Sequence, residues 1–276
     1  MIYTAADRKR VSRAYPCPIC GKDSWCVVLI DAVMCMRDPS DKPVSMASGD
    51  TGYIHPLDGA ASAMATRMPS VPEPPSIDVW AVHQVASNAV GPHHLDILSR
   101  KLGVSVESLR RMEIGWIDQQ VNGRQTRAWA FPMRHGRGKM CGLRLRSDGG
   151  SKWTYPGSRT GIFIPRDLPA GGRRLAVVEG PTDCAAAMDL GIPAAIARPS
   201  CTGGAREIRD YLRAHTWGEL MVIRDADPVG GKADGNVRCG VVRLRAIADE
   251  LGMKFNVRRP PSGAKDLRAY LQERQS

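Results

Sequence analysis

Two segments of this chain repeat one pattern, an apolar run that ends on acid. Leu175-Ala-Val-Val-Glu179 is followed by a Gly-Pro turn and a helix-like stretch from Thr182 to Leu190, closed by Gly191. Glu219-Leu-Met-Val-Ile-Arg-Asp-Ala-Asp227 repeats the run and delivers two carboxylates, Asp225 and Asp227. Short apolar runs bounded by turn signals read as buried strands. In an open α/β sheet the carboxyl ends of parallel strands share one edge, so Glu179, Asp225 and Asp227 converge there. Two carboxylates about 4 Å apart repel by roughly 4 kcal/mol at an effective dielectric near 20. Three therefore raise one another's pKa unless a divalent cation neutralises them. All-oxygen ligands favour Mg²⁺ or Mn²⁺ over zinc, and such an ion suits chemistry on nucleotide phosphates.

Between and after these segments the pattern continues. Ala194 to Ala197 reads as a strand, Ala205 to His215 as a helix, Val237 to Leu251 as an amphipathic helix and Lys254 to Val257 as a last strand. A short closing helix follows Pro260 to Asp266. The order βαβαβαβα predicts a parallel sheet with helices on its faces over residues 173–276.

The residues before it, 77–172, are basic. From Arg124 to Arg174 twelve Lys and Arg face two acids, so this block supplies +10 of the net charge of +11. That balance implies an anionic partner, of which nucleic acid is the commonest. Strand-like fragments alternate with glycines here: Thr126 to Met133, Lys139 to Arg146, Trp153 to Tyr155 and Gly161 to Ile164. In Met140-Cys-Gly-Leu-Arg-Leu-Arg146 the alternation sends Arg144 and Arg146 to one face, where guanidinium forks match phosphate oxygens. Arg134, Lys152 and Lys232 complete the candidate contacts to nucleic acid or nucleotide. A solvated basic surface is the blander reading, disfavoured because so many cations repel one another without an anion among them. Ahead of this block, Ile77 to Val90, His94 to Leu102 and Ser105 to Met112 are helical in pattern. The latter pair reads either as a helix-turn-helix or as two packed core helices. His83, His93 and His94 lack ligand-like partners.

Four of the eight cysteines crowd into the first 37 residues. Cys17-Pro-Ile-Cys20-Gly is a tight turn that presents two thiolates to one tetrahedral zinc, and a hairpin around Asp31-Ala32 brings Cys26 and Cys35 to the same ion. Four unrelated buried cysteines are the alternative. Residues 1–37 are thus expected as a zinc ribbon, and 38–76, rich in Pro, Ser, Gly and Ala, as a linker. No run of about 18 apolar residues predicts a membrane span, and the N-terminus lacks the apolar core of a secretory signal, so a cytoplasmic location is expected.

These motifs carry a resemblance. Glu179-Gly-Pro-Thr-Asp183, Gly191 and Asp225-Ala-Asp227 resemble the TOPRIM domain shared by bacterial-type primases, topoisomerases, OLD-family nucleases and recombination mediators. Ala130-Phe-Pro-Met133, Gly138, Gly142-Leu-Arg-Leu-Arg146 and Lys152-Trp-Thr-Tyr155 are similar to the segment that precedes TOPRIM in bacterial and phage DNA primases, and Lys265-Asp266 to a late primase motif. The resemblance implies a mixed α+β basic subdomain followed by a parallel-sheet TOPRIM domain. It implies that Glu179, Asp225 and Asp227 hold the catalytic metals, with Asp183 and Asp266 in support, and that Arg146 and Lys152 hold template or nucleotide. The activity it implies is synthesis of short RNA primers from NTPs on single-stranded DNA. Two positions depart from the family pattern, Arg224 before the acidic pair and Pro228 after it. No helicase module follows Leu271, so a replicative helicase is expected as a separate chain. A topoisomerase would need a strand-gate domain, and an OLD-type nuclease an ATPase for which no GxxxxGK[ST] exists. Two non-catalytic readings stay open: a recombination-mediator-like clamp, and a degenerate primase acting as an initiation factor.

Overall fold

The computed structural model describes residues 9–29, 31–45, 51–57, 68, 77–121, 123–201, 203–226 and 232–275, of which 232–239 are described in backbone only. The chain divides into two compact units, Met1–Pro75 and Ser76–Ser276.

In the first unit five strands, β1 (Lys9–Arg10), β2 (Val27–Val28), β3 (Ala32–Cys35), β4 (Pro43–Ser45) and β5 (Thr51–Pro56), form an antiparallel sheet in the order β1-β2-β3-β5-β4. The expected hairpin is β2–β3, and it buries Val28 and Val33 beside Cys17, Cys26 and Cys35. The stretch 38–76 expected as a linker departs from that reading, because β4 and β5 lie within it and β5 pairs with β3 along four residues. Its polar composition hid the strand: in Thr51-Gly-Tyr-Ile-His-Pro56 only Gly52 is fully buried, so no apolar run marks it. Met68 also joins this core, while the proline-rich 69–76 lie outside the described residues.

The second unit opens with three helices, α1 (Val79–Asn88), α2 (Pro92–Leu102) and α3 (Val106–Arg111). Asp78 caps α1 by accepting from the Ala81 N–H at 3.1 Å, and Ser105 caps α3 by accepting from Ser108 N–H at 3.0 Å. The α2–α3 pair consists of core helices rather than a DNA-reading helix-turn-helix. Its apolar residues Leu95, Leu98, Leu102, Val104 and Leu109 are buried, and Asp189 accepts from the Ser105 N–H, the Ser105 hydroxyl and the Ser108 hydroxyl, each at 2.6 Å. His83 is buried with Nε2 against the Glu113 carbonyl at 2.7 Å, and His94 stacks on Trp116.

An antiparallel meander follows: β6 (Gly115–Val121), β7 (Arg124–Arg134), β8 (Met140–Arg146) and β9 (Lys152–Thr154), in that spatial order. β6 has no counterpart in the sequence reading; it is an edge strand whose outer half, Asp118-Gln-Gln120, is exposed and polar. Residues 161–164 bridge outward, with Ile162 pairing Arg134 and Phe163 pairing Ala197.

The remainder is the predicted parallel sheet. After the two-residue β10 (Gly171–Gly172) come β11 (Leu175–Glu179), α4 (Gly180–Asp189), β12 (Ala195–Arg198), α5 (Ala205–Ala214), β13 (Thr216–Trp217), β14 (Glu219–Ile223), α6 (Lys232–Glu250), β15 (Lys254–Arg258) and α7 (Leu267–Gln275). The sheet order is β12-β11-β14-β15, every pair parallel, while β10 and β13 form a small parallel pair of their own. Strand β11 shows why both faces are covered. Ala176 and Val178 pack into one core with Cys184 to Ala187 of α4 and with Leu267 and Leu271 of α7. Leu175 and Val177 pack into another with Ile208, Leu212, Leu244 and Ile247.

Candidate active site and metal centre

In the first unit the Sγ atoms of Cys17, Cys20, Cys26 and Cys35 all lie within 4.8 Å of one another. The Cys17–Gly21 turn is closed by a Gly21 N–H to Cys17 O bond of 2.8 Å, with Gly21 at φ +66° where a glycine is favoured. Backbone N–H groups of Met36 and Asp38 point at the sulfurs of Cys26 and Cys35, each at 3.4 Å. Burial pushes the Cys17 and Cys26 thiols up. Burial also opposes ionisation of Cys20, but hydrogen bonds from the Lys22 backbone and the neighbouring thiols outweigh it and bring that thiol down to about 7. Four thiols that cannot all ionise in one buried spot, flanked by N–H donors, fit a tetrahedral zinc that would hold them as thiolates. Sequence reasoning missed Arg37, whose guanidinium lies 3.8 Å from Cys20 Sγ and 3.6 Å from Cys26 Sγ.

In the second unit the carboxyl edge of the parallel sheet gathers acids. Glu179 ends β11, and Gly180, at φ +76°, turns the chain directly into α4. Asp225 follows β14 in a segment pinned on both sides: Arg224 N–H bonds to Arg258 O at 3.0 Å and Ala226 N–H to Lys265 O at 2.7 Å. The second bond brings the acidic loop beside the Lys265-Asp266 segment. Asp227 lies outside the described residues. Asp183, in the first turn of α4, is 7% exposed and accepts from the Arg268 N–H at 3.1 Å; Asp266 accepts from Ala269 N–H at 2.7 Å. Both carboxylates thus anchor the start of α7. Burial, then repulsion from Asp266, pushes Asp183 up to about 7. Carboxylate oxygens gathered at one sheet edge are the donor type that a hard divalent cation takes. Among the described residues these acids form a looser set than the cysteine quartet, the one group of metal-type ligands within 4.8 Å.

Facing this edge is a cationic cleft. Its lining includes Arg144, Arg146, Lys152, Phe131, Phe163 and the Gly180–Thr182 start of α4. The alternation of β8 puts Arg144 and Arg146 on one face, and Lys152 sits opposite Arg146 on β9. Arg144 donates to Thr154 Oγ1 at 3.2 Å and to Pro199 O at 3.1 Å, which fixes its guanidinium at the rim. Burial lowers the pKa of Arg144 and Arg146; for Lys152 burial and then Arg146 do the same, with Arg268 and Arg144 adding to it. These groups crowd one another around Asp183, so the cleft favours an anion. Arg268, whose charge acts on Arg146, Lys152 and Asp183, is a neighbouring cation that sequence reading missed. Its signal was a cation in the first turn of a helix, the end where the macrodipole disfavours one.

Other expected positions fall elsewhere. Arg134 is not among the residues lining the cleft: its guanidinium bonds to the Glu113 carboxylate and, at 2.9 Å, to Gly138 O. Lys232 begins α6. A second missed residue is Arg198, the buried last residue of β12, whose Nη2 lies 2.8 Å from Glu179 Oε1.

No protein-family model matches the chain, and no curated protein sequence matches it. Solved structures do. The Escherichia coli primase catalytic core matches with a TM-score of 0.53 at 20% identity, over 71% of this chain and 74% of that one. A DnaG primase catalytic domain bound to single-stranded DNA matches with a TM-score of 0.53 at 19% identity, over 71% and 73%. The Aquifex aeolicus primase, comprising zinc-binding and RNA polymerase domains, matches with a TM-score of 0.53 at 14% identity, over 78% and 63%. A mixed α/β chain with a four-cysteine sheet module ahead of an antiparallel and a parallel sheet is the class defined here. Within that class the chain has the fold of the DnaG primase catalytic core.

Proposed function

We propose that this protein is a DNA primase, a nucleotidyltransferase that joins NTPs into short RNA primers on single-stranded DNA. The observation that carries the proposal is the cleft lined by Arg144, Arg146 and Lys152 together with the start of α4, at the acid-bearing edge of the parallel sheet. Phosphates of an incoming NTP or of the template bind the cations, and the N-terminus of α4 adds its N–H groups to that field. The parallel-sheet half is read as a TOPRIM domain. Glu179, Asp225 and Asp227 would hold Mg²⁺ or Mn²⁺, with Asp183 and Asp266 in support. When bound, such an ion shields phosphate charge and eases deprotonation of a 3′-hydroxyl. The chain's own part is to orient: Asp183 and Asp266 fix α7, the Ala226–Lys265 bond fixes the acidic loop, and Arg198 fixes Glu179. The zinc ribbon is proposed to contact the template, and a separate replicative helicase to supply it.

The test is to incubate the zinc-loaded protein with single-stranded DNA of varied sequence, labelled NTPs and Mg²⁺ or Mn²⁺. Short RNA products are expected; DNA binding without products on any template refutes the enzymatic reading. A second reading, a degenerate primase that binds single strands without polymerising, has one observation in its favour, the ion pair between Glu179 and Arg198. The same assay separates the two.

A further inference from the structure

The most exposed large apolar side chain among the described residues stands inside the cysteine module. Trp25 is 73% exposed, and the residue after it, Cys26, is a buried member of the thiol quartet. Its backbone φ is +73°, in the left-handed region that only Glu113 and Ser262 share among the described non-glycine residues. A bulky side chain is disfavoured there, and an indole ordinarily gains by burial. Trp25 is therefore unfavourable to the ribbon twice over, in backbone and in solvation. Its neighbours hold it so. Arg37 donates from Nη1 to Ser24 O at 2.7 Å and from Nη2 to Ser24 Oγ at 3.2 Å, which fixes the residue before Trp25, while Cys26 fixes the residue after it. A strained conformation that its surroundings enforce is a mark of ligand contact. Cations flank the same turn. Arg13, its side chain 96% exposed, lies 3.8 Å from Asp23, the only acid between Cys17 and Cys26. Arg10 is exposed and pairs in register with Val27, and Lys22 is exposed in the turn itself.

We propose that Trp25 is a stacking residue for single-stranded DNA: the ribbon holds the indole in solvent so that an unpaired template base lies on it, with Arg10, Arg13 and Lys22 placed for the flanking phosphates. The proposal deepens the reading of the ribbon as the unit that contacts the template, and rests on it. An exposed π-face beside cations is the pairing that single strands take, because every base can stack and every nucleotide brings a phosphate. Arg37 acts through Ser24 as a positioning residue, keeping the indole turned outward.

Fluorescence anisotropy of a labelled oligothymidine with the full, zinc-loaded chain, taken at several salt concentrations, tests this. Trp25→Ala is expected to lose about tenfold in affinity or more with the salt slope unchanged, since a stacking contact and no charge is removed. Trp25→Phe keeps a ring and is expected to stay within about threefold of the wild type. Trp25→Gly suits the positive φ, so it is expected to melt above Trp25→Ala and still bind as weakly. Affinity that recovers with stability in Trp25→Gly, or a loss that comes with release of zinc in both variants, marks a folding role and overturns the proposal. Irradiation of the wild type with an iodouracil-substituted oligonucleotide is expected to attach it at Trp25; attachment in the ribbon at other residues only overturns the proposal. Trp25→Ala that binds as the wild type does, the result expected if the indole serves a protein partner, overturns it and leaves the primase reading standing. A wild type that binds no single-stranded DNA overturns both.

Discussion

Replacing Glu179 by leucine should destabilise the protein before it affects any chemistry. The substitution leaves the Arg198 guanidinium, whose side chain is 2% exposed, without the carboxylate that lies 2.8 Å away. Removing one partner of a buried ion pair destabilises by about 3–5 kcal/mol. For a domain of this size each kcal/mol lowers the melting temperature by roughly 2–4 °C, so Glu179→Leu should melt about 6–20 °C below the wild type. The double variant Glu179→Leu with Arg198→Met replaces both charges by apolar groups of similar volume and should recover most of that loss. Urea denaturation followed by circular dichroism, with the ribbon zinc-loaded and no Mg²⁺ present, measures both. A loss under about 1 kcal/mol for Glu179→Leu, or a double variant no more stable than the single one, would refute the reasoning. The prediction also bears on mutagenesis: an inactive Glu179→Leu protein is not by itself proof that the carboxylate is catalytic.

Other outcomes follow from the same structure. Metal analysis should find about one zinc per chain, lost on Cys17→Ser with Cys20→Ser, and affinity should fall with falling pH because zinc must displace protons from thiols that burial holds up. Arg146→Ala with Lys152→Ala should weaken single-stranded DNA binding roughly tenfold or more and flatten its salt dependence, as read by fluorescence anisotropy at several ionic strengths. Burial lowers the pKa of His83, so its neutral form is favoured in the folded state. Stability from this group is complete above its unfolded pKa near 6.5 and is lost as pH falls toward the lower folded value; His83→Gln should flatten that limb in denaturation curves taken across the range. Gly240→Ala, which drives a methyl into the Cys201 carbonyl, should lower stability by about 2 kcal/mol or more.

The parallel half was legible because its strands are buried on both faces and so read as plain apolar runs closed by turns. Val177 and Val178 serve opposite cores, and no polar residue interrupts them. The strands hidden from the sequence are those with an exposed side. β5 carries Thr51, Tyr53 and His55, and β6 carries Asp118 to Gln120; neither shows a run to detect. At the site, composition pointed to Arg144, Arg146 and Lys152 through the alternation of β8, and the structure lines one cleft with them. Arg134 belonged to the same basic block, yet it pairs with Glu113, a long-range contact that no local pattern reveals. Arg198 had a visible cue that went unused. Ala195-Ile-Ala-Arg198 is another apolar run ending on a charge, opposite in sign to Glu179, and strands adjacent in a parallel sheet set such ends side by side.

The most direct measurement of the central claim is primer synthesis at matched DNA occupancy. Wild type and Asp225→Asn with Asp227→Asn are each brought to the same bound fraction of single-stranded DNA, given labelled NTPs and Mn²⁺ or Mg²⁺, and their products separated by length. Short RNA chains from the wild type and none from the double variant are predicted. Bound DNA without RNA from the wild type, or equal RNA from both proteins, would contradict the account.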